Sequence, residues 1–98
     1  MAGLRRAARV DANQKEIVEG LRKLGAYVLI TSQLKNAFDI LVGYNSELYI
    51  MEIKDGSKPE TQRHLTEGEL KCMEGFNKVG VKYYVINSLE EAISLLTS

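Results

Sequence analysis

The sequence predicts an α/β domain in which helices flank a mixed four-stranded sheet, with the element order αβββαβα. Ile17, Leu21 and Leu24 recur with the spacing of one helix face, which indicates an amphipathic helix near the start. Short runs rich in β-branched and aromatic residues follow, separated by polar turns, as is typical of strands. A second helical segment separates the last two strands, and such a crossover joins parallel neighbours in one sheet. The sheet is therefore expected to combine antiparallel and parallel pairs.

The first half of the chain is predicted to contain one helix and three strands. The helix runs from Asp11, its N-cap, to Leu24, and Gly25 supplies the residue that ends it. Asn45 and Ser46 are turn formers, so the second and third strands are expected to form a hairpin. The third strand is apolar on both faces, which favours a central position in the sheet. The three strands are predicted at residues 27–31, 39–44 and 47–54.

The second half is predicted to contain a helix, a strand and a final helix. The second helix begins at Thr66 and ends near Val79, with Gly80 as its stop. A fourth strand covers residues 82–86, and Ser88 caps the last helix. The side chains expected to be buried on the second helix are Leu65, Cys72, Phe76 and Val79.

Composition narrows the classes of protein that the chain can represent. Its 98 residues are expected to form one domain, with a flexible start over residues 1–10. A formal net charge of zero disfavours a general nucleic-acid coat protein, which is usually strongly basic. Cys72 is the single cysteine, which favours a reducing, cytoplasmic compartment. No apolar run approaches the roughly 18 residues of a membrane span, so we expect no membrane association, and we expect no small-molecule cofactor.

Three charged side chains are predicted to meet at one end of the hairpin. Residues two apart on a strand share a face, so Glu52 and Lys54 project together from an otherwise apolar strand end. Pairing outward from the turn brings Asp39 beside Glu52. Two carboxylates and the backbone carbonyl of Ile53 are oxygen ligands of the kind that Mg²⁺ prefers. The sequence therefore predicts a metal site at this end of the hairpin.

The predicted site suits the hydrolysis of a phosphodiester. A metal held by Asp39, Glu52 and the Ile53 carbonyl would bind a phosphate oxygen and lower the pKa of a bound water. Lys54, as the catalytic lysine, would orient that water or offset negative charge that develops on the phosphate. The alternative interpretation is structural, because exposed strands often alternate glutamate and lysine for solubility. The partner Asp39 and the apolar flanks favour the metal site.

The same residues carry a resemblance to a known family. The segments Phe38-Asp-Ile-Leu-Val42 and Met51-Glu-Ile-Lys-Asp-Gly56 resemble the signature of the PD-(D/E)xK nuclease superfamily, with Phe38 in place of the usual proline. Within that superfamily the chain is similar to the small stand-alone VRR-NUC domains of phages and bacteria. The similarity runs from about Arg6 to Leu95 and includes segments 11–17 and 65–70.

This resemblance implies a restriction-endonuclease-like core and a cofactor, Mg²⁺ or Mn²⁺. It implies an endonuclease that cuts branched DNA, such as four-way (Holliday) junctions or flaps, and acts as a homodimer in the cytoplasm of a bacterium or a phage-infected host. Two rivals remain open at this point. The first rival is a catalytically silent nucleic-acid-binding or assembly module on the same fold. The second is a nuclease that acts on RNA or single strands.

Two further glutamates have open roles. Family members carry a glutamate in the first helix, and Glu16 is the matching position, which implies a supporting catalytic carboxylate; the alternative is a solvated helix residue. Glu69 lies on the inward stripe of the second helix, where it could point at the site. It also completes a capping box with Thr66, which would explain it structurally. The family more often has glutamine at this position.

Several basic residues outside the metal site are candidates for contacts with nucleic-acid phosphates. For His64 the sequence favours a solvated loop position over a phosphate contact. The arginines near the start are equally consistent with a solubilising terminus. The predicted nucleic-acid-binding residues are Arg5, Arg6, Arg9, Lys58, Arg63 and His64.

Overall fold

The computed structural model describes residues 11–98 and confirms the predicted fold class and element order. The predictions for residues 1–10, including Arg5, Arg6 and Arg9, lie outside this range. No helix within residues 11–98 combines the length and the apolar character that a membrane crossing needs. The helices are α1 (Gln14–Leu24), α2 (Glu67–Lys78) and α3 (Leu89–Thr97), with a short 3₁₀ helix at Glu60–Gln62. The strands are β1 (Tyr27–Ile30), β2 (Ile40–Tyr44), β3 (Glu47–Ile53) and β4 (Tyr83–Ile86).

The strands form one sheet in the order β1-β2-β3-β4, with β3 in an interior position as predicted. Strand β2 pairs antiparallel with β1 and β3, whereas β3 and β4 are parallel across the α2 crossover. Asn45 and Ser46 both adopt positive φ angles, 51° and 67°, which is the conformation of a tight two-residue hairpin turn. This turn fixes the register, in which Ile40 lies opposite Met51. The ends of β2 and β3 that carry the charged residues therefore meet.

The hydrophobic core lies between the sheet and the helices α1 and α3. Its centre is formed by side chains that are at most 1% exposed, among them Ile17, Ile40 and Met51. Gly20 lets α1 approach α3 closely, because a Cβ atom there would lie 2.6 Å from a methyl carbon of Leu89. This packing anchors β2 and β3, so the site residues at their ends project from a rigid base.

The start of α1 differs from the prediction. The helix begins at Gln14, and the preceding residue Asn13 makes no side-chain cap. Asn13 instead donates from its amide to the backbone carbonyls of Lys54 and Asn87, at 3.0 and 3.2 Å. The N-cap position is therefore occupied by Asn13 and not by Asp11. The Asn13 side chain links the start of α1 to the residues that follow β3 and β4.

The predicted buried stripe of α2 is wrong in part. None of the α2 residues is buried, Cys72 and Phe76 are half-buried, and Val79 is 74% exposed. The helix lies beside β4 at the site end of the sheet, where Phe76 packs edge-on against Phe38 with ring centroids 6.1 Å apart. Helix α2 therefore covers the end of the sheet that carries the site, whereas the helices that pack on the hydrophobic core are α1 and α3.

Candidate active site

Asp39 and Glu52 meet where β2 begins and β3 ends. The backbone N–H of Asp39 donates to the carbonyl of Met51 at 3.1 Å, which continues the hairpin ladder by one residue beyond Ile40. Asp39 therefore lies opposite Glu52, as the spacing predicts. Glu52 is 4% exposed and Asp39 is half-buried. Two carboxylates are thus brought together inside a largely desolvated strand end.

Backbone and side-chain donors hold both carboxylates in place. Oδ2 of Asp39 accepts a hydrogen bond from the backbone N–H of Ile53 at 2.8 Å. Oε1 of Glu52 lies 3.4 Å from the hydroxyl of Tyr83, and its Oε2 lies 3.7 Å from Nζ of Lys54. The Tyr83 hydroxyl also donates to the carbonyl of Ala37 at 2.9 Å. The site is therefore connected to β4 as well as to the hairpin.

Glu69 takes both of the roles that the sequence left open. Its Oε1 accepts from the backbone N–H of Thr66 at 2.9 Å, and its own N–H donates to Oγ1 of Thr66 at 3.1 Å. These are the two bonds of a capping box at the start of α2. The same Oε1 also accepts from Nζ of Lys54 at 3.1 Å. The cap and the contact with the site share one oxygen atom.

Burial shifts the pKa values of the two facing carboxylates upward. Desolvation, followed by the negative charge of Asp39, raises the pKa of Glu52 from 4.5 to about 9. Desolvation is also the largest cause of the raised pKa of Asp39, although the hydrogen bond from Ile53 opposes it. These shifts indicate that the site has too little positive charge nearby to keep both groups ionised, so without a cation Glu52 retains its proton at neutral pH.

Lys54 and Glu69 have the opposite electrostatic character. Burial lowers the pKa of Lys54, but the hydrogen bond and charge of Glu69 outweigh it, so the pKa lies above 10.5. Burial raises the pKa of Glu69, but hydrogen bonds with the Thr66 N–H, with Glu52 and with Lys54 outweigh it, so the pKa is lowered. This pair remains ionised over the physiological range, and the ammonium of Lys54 lies closer to Glu69 than to Glu52, at 3.1 against 3.7 Å.

The donor set fits a magnesium-type ion. Asp39, Glu52, Ile53 and Lys54 line a cavity of about 550 Å³, together with Glu69. In the part of the chain that the structure describes, no group of three or more His, Cys, Asp or Glu side chains is placed to hold a metal ion. The oxygen ligands that this end of the hairpin offers to an ion are the carboxylates of Asp39 and Glu52 and the Ile53 carbonyl, and water would fill the remaining positions. Mg²⁺ favours such a partly hydrated oxygen site.

Two residues at the site were missed by the sequence analysis. Tyr83 looked like strand filling, yet it is 6% exposed and its hydroxyl reaches Glu52. Tyr83 pairs with Ile50 in the parallel ladder, so it shares a sheet face with Glu52, and that parity was the available signal. Asp11 lines the cavity and was assigned only as a helix cap. No pattern in the sequence distinguishes these two interpretations of Asp11.

The other predicted residues are spread over a wider surface. Lys58 lines the cavity of Asp39 and Glu52. Arg63 and Glu16 line a neighbouring cavity of about 380 Å³. His64 is exposed.

Glu16 is not brought together with the other three predicted catalytic residues. It is exposed, whereas Gln14, two residues earlier, is 5% exposed and donates to Oγ of Ser32 at 3.4 Å. Helix α1 therefore turns Gln14 inward at this level and Glu16 toward the neighbouring cavity. Glu16 is thus an exposed helix residue that lines a different cavity from Asp39, Glu52 and Lys54.

Together, the sheet topology and the paired carboxylates at the hairpin end define a restriction-endonuclease-like domain. Comparisons with protein-family models and with curated proteins find no match. Among solved structures, the chain is similar to one described as a VRR_NUC domain, with 26% sequence identity and a TM-score of 0.61. The match covers 84% of this chain and 87% of that chain. This similarity supports assigning the chain to the VRR-NUC type of domain, which is a class of nuclease domain.

Proposed function

We propose that this chain is a metal-dependent endonuclease that hydrolyses phosphodiester bonds in branched DNA. The observation that carries the proposal is the meeting of Asp39 and Glu52, two desolvated carboxylates without full charge compensation, beside the ammonium of Lys54. Keeping such a pair buried is unfavourable unless a cation binds there. A purely structural or silent module gains nothing from it.

The residues divide the work by their chemistry. The carboxylates of Asp39 and Glu52 and the carbonyl of Ile53 would hold Mg²⁺ or Mn²⁺, which supplies charge stabilisation and an acidified water. The ammonium of Lys54, half-buried beside Glu52, offsets the negative charge that develops on the attacked phosphate. Lys58 extends from the same cavity and offers a contact for a neighbouring phosphate.

Branched DNA and a homodimer are supported by the resemblance to stand-alone VRR-NUC domains. The small size of the domain also favours recognition of shape over a long base sequence. A twofold dimer would present two cutting sites to one junction. Tyr27 and Leu48 lie on one face of the sheet and are 74% and 69% exposed, which is an apolar surface of the kind that oligomers bury.

The test is cleavage of a labelled panel of duplex, flap, splayed and four-way DNA, with matched RNA and single strands, in Mg²⁺ or Mn²⁺. The variants are Asp39→Asn, Glu52→Gln and Lys54→Met, which keep side-chain size and remove the charge. Glu47→Gln is the matched control, because Glu47 is exposed at the opposite end of β3. We expect the three site variants to lose at least about 100-fold in kcat, while the control cuts like the wild type.

Three results would contradict the proposal. Cutting that persists in Glu52→Gln, or in excess chelator, would refute the metal site. Preferred cutting of RNA or single strands would refute the choice of substrate. A protein that remains monomeric by light scattering, at the concentrations where it cuts junctions, would refute the two-site dimer.

A further inference from the structure

Glu69 connects the start of helix α2 to the lysine of the site. We propose that Glu69 is a positioning residue for Lys54, which it holds through a shared acceptor oxygen that the helix cap fixes in place. The inference rests on the proposed nuclease function, in which Lys54 acts at the phosphate. It concerns a residue that touches neither substrate nor metal in the proposed mechanism.

The acceptor oxygen is itself rigidly held. Oε1 of Glu69 lies 2.9 Å from the backbone N–H of Thr66 and 3.1 Å from Nζ of Lys54, so both donors converge on one atom. The reciprocal bond from the Glu69 N–H to Thr66 closes the capping box. An acceptor that is held by the backbone N–H of Thr66 loses little freedom when it binds the lysine, so the contact orients Lys54 at small entropic cost.

The first turn of α2 is also packed against the loop that leads into β2. Gly68 touches Asn36 so closely that a Cβ atom at position 68 would overlap the Asn36 side chain. Asn36 adopts a positive φ of 59°, a conformation that asparagine accepts more readily than most residues. The position of Glu69 relative to Asp39 is therefore set by helix and loop together.

Glu52 does not fix Lys54 in the same way. Its Oε2 is 3.7 Å from Nζ, which is longer than a hydrogen bond, and its Oε1 is directed at Tyr83. In the proposed function Glu52 also serves a metal ion, which competes for its oxygens. The Glu69 contact does not depend on those oxygens, so it can hold the ammonium of Lys54 throughout the reaction.

This role makes a specific demand on the side chain at position 69. Glutamine keeps an acceptor oxygen for both Thr66 and Lys54 but lacks the charge, so Glu69→Gln should keep kcat within about fivefold of the wild type. Methionine keeps the length and lacks the acceptor, so Glu69→Met should lower kcat about 10- to 100-fold with little change in KM. We expect kcat to fall and KM to stay nearly constant because Lys54 is misplaced while the surfaces that bind DNA are unchanged.

The control for helix damage is Thr66→Ala. It removes the other half of the capping box and should lower Tm as Glu69→Met does, but it leaves the oxygen on Lys54 in place. Its kcat should change less than about threefold, the ratio expected for a residue without contact to Lys54. Melting temperatures of all variants separate lost stability from lost positioning.

A second readout does not depend on activity. Nitrogen-15 NMR of lysine ammonium groups in the metal-free protein should show a slowly exchanging signal, assigned to Lys54 by its absence from Lys54→Met. The signal should persist in Glu69→Gln and disappear in Glu69→Met, because only the latter removes the acceptor.

The outcomes separate the two proposals. Wild-type kcat in Glu69→Met, or a loss in Glu69→Gln as large as in Glu69→Met, would overturn positioning by the shared oxygen. A wild-type protein that cuts none of the substrates would overturn the proposed function. The ammonium signal in Glu69→Met would then still decide whether Glu69 holds Lys54.

Discussion

Replacing Glu52 with glutamine should make the metal-free protein more stable at alkaline pH and leave its stability at pH 5 nearly unchanged. Burial and the neighbouring Asp39 raise the pKa of Glu52 to about 9, so the folded protein favours the protonated acid. Glutamine mimics that neutral form and keeps an oxygen toward the Tyr83 hydroxyl. The substitution therefore removes the cost of ionising the site.

The direction follows from proton linkage. Glu52 has a raised pKa in the folded state, so its stabilising contribution is complete below the unfolded value of 4.5 and is lost as the pH rises toward about 9. Over the same window Lys54, with its raised pKa, stays charged, and Glu69, with its lowered pKa, stays ionised. Lys54 and Glu69 therefore do not contribute to the dependence of stability on pH in this window. Titrating groups elsewhere affect the wild type and Glu52→Gln alike, so the difference between the two proteins removes their contribution.

The raised pKa of Glu52 sets an upper bound on the stability that Glu52→Gln gains at alkaline pH. A change from 4.5 to about 9 corresponds to about 6 kcal/mol if nothing relaxes. Water in the cavity and movement of the two carboxylates apart reduce this to about 2 kcal/mol. For a domain of 98 residues, that is a difference in Tm of about 8–16 °C between wild type and variant at pH 9.

The assay is thermal unfolding by circular dichroism from pH 5 to pH 9, in chelator and then with Mg²⁺. At the proposed metal site, a free ion concentration ten times the dissociation constant would stabilise the wild type by about 1.4 kcal/mol, because such an ion binds the folded state and not the unfolded chain. Glu52→Gln should lose most of that response, and Glu47→Gln should retain it, since Glu47 is exposed at the other end of β3. Parallel Tm profiles for wild type and Glu52→Gln would refute the electrostatic account of the site.

Two other substitutions test the supports of the site. Tyr83→Phe removes the hydroxyl that bonds the Ala37 carbonyl and reaches Glu52, so stability should fall by about 1 kcal/mol and Mn²⁺ affinity by about 10- to 100-fold. Calorimetric titration measures the affinity, and an unchanged value would show that the hydroxyl does not orient Glu52. Met51→Ala empties a fully buried position on β3 and should lower the free energy of unfolding by about 2–5 kcal/mol, measured in urea; a loss below about 1 kcal/mol would contradict the packing of the core.

The central part of the site could be predicted because it depends on local geometry. Asp39 and Glu52 belong to one hairpin, and the turn at Asn45 and Ser46 fixes which residues face each other. The side-chain period of two then places Lys54 on the same face as Glu52. Each step uses residues that are close in sequence, so no knowledge of the tertiary arrangement was needed.

The residues around Asp39, Glu52 and Lys54 are placed by contacts between elements that are distant in sequence. For these residues the sequence-based predictions were wrong or left two alternatives open. Tyr83 reaches Glu52 only because β4 pairs in parallel with β3 after a crossover of many residues. Glu16 and Gln14 lie two residues apart on α1, about 200° apart around the helix axis, so they face opposite sides. The packing of α1 against the sheet turns Gln14 inward and leaves Glu16 exposed. The prediction of a buried stripe on α2 failed because periodicity shows which side of a helix is apolar, but it does not show how deeply that side is buried.

The hydrophobic core and the candidate site lie on different faces of the sheet, which explains how a small domain can hold two facing carboxylates. The core between the sheet and helices α1 and α3 contains the largest fully buried side chains, and it lies on the face away from α2. Helix α2 has no buried residue, so it contributes little to that core and is free to place Glu69 beside Lys54. The unfavourable pairing of Asp39 with Glu52 is therefore supported by packing in which neither takes part. Changes in α2 should accordingly alter cutting more than stability, whereas changes in the core should do the reverse.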